Sequence, residues 1–184
     1  MADTTIRVFL GIASSSDVLG AEDISSTDYR QYDMSTLPVS YAKVADITDF
    51  PELIGETENI ESTTMSDTQR TYEVGLQGTS QDSFTAQFSR AKYEELQELI
   101  EKNGRNAKYR FCLLISDSQS VFDWVGSINV GLGGGAVNEI ISMPINISFS
   151  TPVRLRSTKA TKYYGEYSDA DGKITISTSP RASA

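Results

Sequence analysis

The chain has 184 residues, with 16 Lys and Arg against 25 Asp and Glu, a net charge of −9 at neutral pH. That length fits one domain with appendages, and the acidic excess argues against a protein that grips nucleic-acid phosphates. There is no histidine and one cysteine, Cys112, which excludes a Ser-His-Asp triad, a His-ligated metal and an internal disulfide.

Hydrophobic residues make up 39% of the chain, enough for a folded protein. Ser and Thr total 41, and with 9 Tyr and 7 Phe they tilt the chain toward strands. No apolar run is long enough to span a bilayer, and Met1 to Thr5 has neither the basic nor the apolar part of a secretory leader. The expectation is synthesis in a cytoplasm and no membrane partner.

In chain order, residues 1–36 read as an extended acidic arm with a possible short strand over Ile6 to Ala13. Leu37, Val39 and Tyr41 then alternate as one strand face. Thr48 to Gln69 reads as irregular, with Pro51, Gly55 and many acids; a loop of that length inside a compact domain usually has a function or is disordered. Tyr72, Val74 and Leu76 predict a strand, as do Phe84, Ala86 and Phe88. The period then changes: Tyr93, Leu96, Leu99 and Ile100 sit at helical spacing, with Ser89 as N-cap and Asn103-Gly104 as the stop.

Three long strands follow. Tyr109, Phe111, Leu113 and Ile115 share a face of the first, and Phe122, Trp124, Ile128 and Val130 a face of the second. The third is expected over Ala136 to Ser150, with Val137, Ile141, Met143, Ile145, Ile147 and Phe149 on one side. Lys162 to Ser177 predicts a small hairpin turning at Asp169 to Gly172. The expected organisation is an arm (1–36), a β-domain (37–156) and a C-terminal extension (157–184). The fold class is mainly β: an antiparallel sandwich or barrel-like subunit with one flanking helix.

Candidate chemistry is sparse. Gly131 to Ala136 matches a dinucleotide fingerprint as a string, but a strand follows it where a phosphate-binding helix is required, so it reads as a hairpin turn. Asp169 to Gly172 lacks the closing glutamate of a calcium loop. Cys112 lies mid-strand and reads as a packed thiol. No catalytic residue, cofactor or metal is expected.

The order of these elements resembles the major tail tube proteins of long, non-contractile-tailed bacteriophages. The resemblance runs from about Tyr41 to Ser150. It is carried by the stretch from Ile47-Thr48-Asp49-Phe50-Pro51-Glu52-Leu53-Ile54-Gly55 through Ile60-Glu61-Ser62-Thr63-Thr64 to Met65-Ser66-Asp67, followed by a strand like Thr71 to Leu76, a short strand, a helix and the long strands. Thr57 stands where that family often has Pro. The resemblance implies hexameric rings that stack into a hollow tube, which conducts the viral genome into the host.

The implied partners are other copies of the chain, tape-measure, tail-terminator and baseplate or distal-tail proteins, and double-stranded DNA only in passing. The implied location is the virion tail, assembled in the host cytoplasm. Ring stacking is expected to use the loop with Asp49, Phe50, Pro51, Leu53, Ile54 and Ile60. Acids expected on the lumen wall are Glu73, Asp123 and Glu139. A related ring protein of the tail would share the fold. The rival reading from another class is a carbohydrate-binding β-module on a virion or cell surface, using exposed Tyr163, Tyr164 and Tyr167. A carboxylate-based hydrolase is permitted by composition and supported by nothing else.

Overall fold

The computed structural model describes residues 7–13, 22–25, 28–34, 36–53, 57–61, 72–77, 81–134 and 140–180. Twelve strands and one helix occur among them. The strands are β1 (Val8–Ala13), β2 (Ser40–Ala45), β3 (Ile47–Asp49), β4 (Thr57–Glu61), β5 (Tyr72–Gln77) and β6 (Gln81–Gln87) before the helix α1 (Arg90–Asn103). After it come β7 (Tyr109–Ile115), β8 (Ser120–Val130), β9 (Ser142–Phe149), β10 (Arg154–Leu155), β11 (Tyr164–Ser168) and β12 (Lys173–Ser177).

Ten strands form one antiparallel sheet in the order β11-β12-β2-β1-β7-β8-β9-β6-β3, with β10 added to β8; β4 and β5 pair separately. The sheet curls into a half-barrel. The mainly β, barrel-like class with one helix is therefore the observed one.

Both faces of the sheet are covered. On one face Phe84, Phe111 and Trp124 stack with centroids 6.0 to 6.2 Å apart, and Phe149 tilts onto Trp124 at 5.5 Å. Leu96 and Leu99 of α1 are fully buried in this cluster. Burying each such side chain contributes roughly 1.5–3 kcal/mol. The ion pairs Arg90–Glu94 and Lys92–Glu95 on the helix surface contribute little. The helix starts at Ser89 and stops at Gly104, where φ is +89°; only glycine takes that backbone without strain.

The other face of the sheet is a smaller core of Phe9, Tyr41, Cys112, Leu114, Val121, Ile174 and Ile176. The hairpin β11–β12 contributes Ile174 and Ile176, with Tyr167 packed against the cluster. β12 pairs β2, and β11 reaches across to the β7–β8 turn, where the Gly165 N–H donates to the Gln119 carbonyl at 2.9 Å. A Cβ at Gly165 would stand 2.5 Å from Val121 and 2.6 Å from Leu114. The absent side chain is what lets the strand close over the sheet.

Several expectations change here. The short strand expected within the first segment is β1, and it is a central strand between β2 and β7, with no exposed surface on Leu10 and Ile12. Its short apolar run is flanked by polar residues, so the sequence pattern understates its pairing on both sides. The hairpin near the C-terminus is joined to the sheet through β2. The stretch expected to be irregular contains β3 and β4. The third long strand starts at Ser142. Ile141, expected on its buried face, is 48% exposed; Val137 and Glu139 lie outside the described residues.

Candidate functional site

The surface expected to stack rings begins at β3. Asp49 pairs with Thr85 in register, and its side chain is exposed. Phe50 is 43% exposed. Pro51 is half-buried, and Leu53 packs against the main core. Ile60 lies in β4, opposite Glu73 of β5; Ile54 is outside the described residues.

A second apolar surface was not expected from the sequence. At the end of the β8–β9 hairpin, Leu132 is 65% exposed and Ile140 73%. Backbone bonds from Gly131 N–H to the Pro144 carbonyl and from Gly133 N–H to the Ser142 carbonyl carry the pairing past the strand ends. They hold these side chains at the margin of the sheet. Large exposed aliphatic groups mark contact surfaces where they lie together. Leu132 between two glycines was the available signal: an apolar residue in a turn has no core to enter.

Of the acids expected on the lumen wall, Asp123 is a correction. It is only 3% exposed, because β8 turns its odd-numbered side chains (Val121, Asp123, Val125) toward the face covered by the β11–β12 side of the sheet. The Tyr41 hydroxyl donates to Asp123 Oδ1 at 3.0 Å. Arg156 Nε faces Oδ2 at 3.7 Å, within ion-pair range but beyond a hydrogen bond. Arg156 also donates to the Pro38 carbonyl at 2.6 Å and the Leu37 carbonyl at 3.0 Å.

The cluster ties the residues before β2 and the chain after β10 to the middle of β8. Its electrostatics follow from burial. Asp123 is pushed up to about 6, chiefly by loss of solvent, with Arg156 and Tyr41 opposing. Burial likewise pushes Tyr32 up to about 12 and raises Tyr41 and Cys112. An inert, fully buried Cys112 fits the packed-thiol expectation. The backbone of Glu73 pairs with that of Ile60, and Glu139 is not among the described residues.

Two of the three tyrosines of the carbohydrate rival, Tyr163 and Tyr167, are engaged internally. Tyr167 stacks on Phe9 with centroids 4.0 Å apart and lies under Lys43. Tyr163 lies under the Arg156 guanidinium. Among the described residues no group of three or more acids and cysteines is placed to hold a metal ion.

No family model and no curated protein matches this sequence. A solved structure does. The fold is similar to that of a chain in the cryo-EM structure of the anti-feeding prophage (AFP) baseplate, 6-fold symmetrised, with a TM-score of 0.52. The match covers 84% of this chain and 95% of that one at 5% identity. At that identity the likeness is one of fold.

Proposed function

We propose that this chain is a structural subunit of a phage-type tail, and specifically that it forms hexameric rings that stack into a tube conducting the viral genome. The observation that carries this reading is the fold match to a chain of a 6-fold symmetrised baseplate over 84% of the present chain. The exposed apolar groups at Phe50, Leu132 and Ile140 support it, because a subunit that lives in an assembly leaves such groups for its neighbours.

In this reading the segment from Asp49 through Ile54 to Ile60 stacks one ring on the next, and the β8–β9 hairpin end adds a second contact. Glu73 and Glu139 are assigned to the lumen wall, where negative charge keeps DNA mobile. Asp123 is withdrawn from that role. The protein has no catalytic function, works with tape-measure, terminator and baseplate proteins, and resides in the virion after assembly in the host cytoplasm. Electron microscopy of the concentrated protein, alone and with a tail-initiation complex, tests the reading: it predicts six-fold rings or hollow tubes, and subunits that stay monomeric under both conditions overturn it.

A further inference from the structure

A cavity of about 260 Å³ opens beside the Asp123 cluster. It is bounded by Tyr29, Arg30, Tyr32 and Leu37, by β7 and β8, and by the chain after β9. Its chemistry runs against the rest of the molecule. The chain carries −9, yet three guanidinium groups line this cavity, those of Arg30, Arg110 and Arg154, against the single carboxylate of Asp123.

The deep end holds polar atoms with nothing to bond. Asp123 is 3% exposed, and its Oδ2 has no hydrogen-bond partner among the described residues. The Tyr32 hydroxyl is likewise without one. Each buried donor or acceptor left unmade costs stability. A ligand that supplied the missing partners would recover part of that cost. Nearer the opening, the Arg154 guanidinium lies 4.9 Å from the Tyr32 ring centroid. Stacking of that kind restrains the plane of the group and leaves its N–H edge for an incoming anion.

We propose that this cavity binds a hydroxylated carboxylate of monosaccharide size, a sugar acid. The carboxylate meets the arginines, which favour planar two-oxygen anions. The hydroxyls meet the deep end: one donates to Asp123 Oδ2, and another accepts from the Tyr32 hydroxyl. Size agrees, since the volume falls just under the ~300 Å³ at which ordinary ligand pockets begin and far exceeds the ~30 Å³ share of one water. A neutral sugar would leave the cationic rim unanswered. A bare oxyanion would leave the deep end unanswered. The site is separate from the tail reading, and it is separate from the tyrosines of β11.

Binding is read by isothermal titration calorimetry, because the Trp124 ring lies on the other face of the sheet. The full-length protein is titrated with glucuronate, glucose and inorganic phosphate, and the Arg154→Gln variant with glucuronate. The expected result is a saturable heat of binding with glucuronate at about millimolar concentration, none with glucose, and a midpoint raised about tenfold in Arg154→Gln, as loss of a charge-assisted contact requires. Arg154 is exposed and in a two-residue strand, so the variant should fold; an unchanged thermal midpoint verifies it. No response to glucuronate overturns the proposal. So does an equal response to phosphate, or to glucose, because either removes the need for a ligand that is both acidic and hydroxylated. An Arg154→Gln variant that folds and binds glucuronate as the parent does also overturns it.

Discussion

The Tyr41 hydroxyl donates to Asp123 Oδ1 at 3.0 Å across 82 residues of sequence, joining β2 to β8 beneath the surface. These strands are not neighbours, since β1 and β7 lie between them in the sheet. The bond therefore spans the curl of the sheet, and Arg156 extends the same link to the chain after β10. Tyr41→Phe removes the donor and leaves the buried carboxylate short of a partner. The expected loss is about 1–3 kcal/mol of stability, read from denaturant unfolding. Arg156→Met is expected to cost more, about 3–5 kcal/mol, because it strands the Asp123 charge as well as the Leu37 and Pro38 carbonyls. Stabilities equal to the parent would show that the cluster is incidental to the fold.

Asp123 also sets a pH dependence. Its folded value of about 6 lies above its ordinary 3.8, so the folded state holds the proton more tightly than the unfolded chain does. Stability from this group is then greatest below about 3.8, falls as pH rises through the interval, and reaches its full cost above about 6. The size is about 3 kcal/mol at most. Asp123→Asn keeps an acceptor for Tyr41 and cannot ionise. Across pH 4 to 7, the stability of the parent should therefore fall relative to Asp123→Asn. A constant difference between the two would contradict the assignment.

Gly165 is the point where the terminal hairpin closes on the sheet. Gly165→Ala places a methyl group 2.5 Å from Val121 and 2.6 Å from Leu114, and packed cores lose about 1–3 kcal/mol to such crowding. The thermal midpoint should drop. Gly134→Ala serves as the control, because nothing lies within 4 Å of its added Cβ. A Gly165→Ala protein as stable as that control would mean that the hairpin does not pack as described.

The exposed apolar groups separate assembly from folding. Ile140→Glu and Phe50→Glu alter side chains that are 73% and 43% exposed, so monomer stability should change by less than about 0.5 kcal/mol. Particle formation should be abolished or strongly reduced, as seen by sedimentation or microscopy. Assembly that proceeds normally in both variants would count against contacts at these surfaces.

Much of the architecture was legible because its signals are local. Leu96 and Leu99 at helical spacing, with Asn103-Gly104 behind them, mark the helix and its end. The alternation of Met143, Ile145, Ile147 and Phe149 marks the buried face of β9. What the sequence could not reveal depends on pairing between distant segments. β1 looks like part of a polar arm because its flanks are polar, and only its position between β2 and β7 makes it core. Asp123 reads as an outward acid on an alternating strand. Its face is enclosed by the β11–β12 hairpin and held by Tyr41 and Arg156, which come from three separate parts of the chain. The exposure of Ile141 follows from where β9 begins, which the run of apolar residues before it conceals.

Electron microscopy of the full-length protein, concentrated alone and then mixed with a tail-initiation complex, tests the central claim most directly. The account predicts rings of six subunits that stack into hollow tubes, with Ile140→Glu and Phe50→Glu proteins remaining single subunits under the same conditions. A parent protein that stays monomeric with the initiator present, or that assembles without six-fold symmetry, would contradict it.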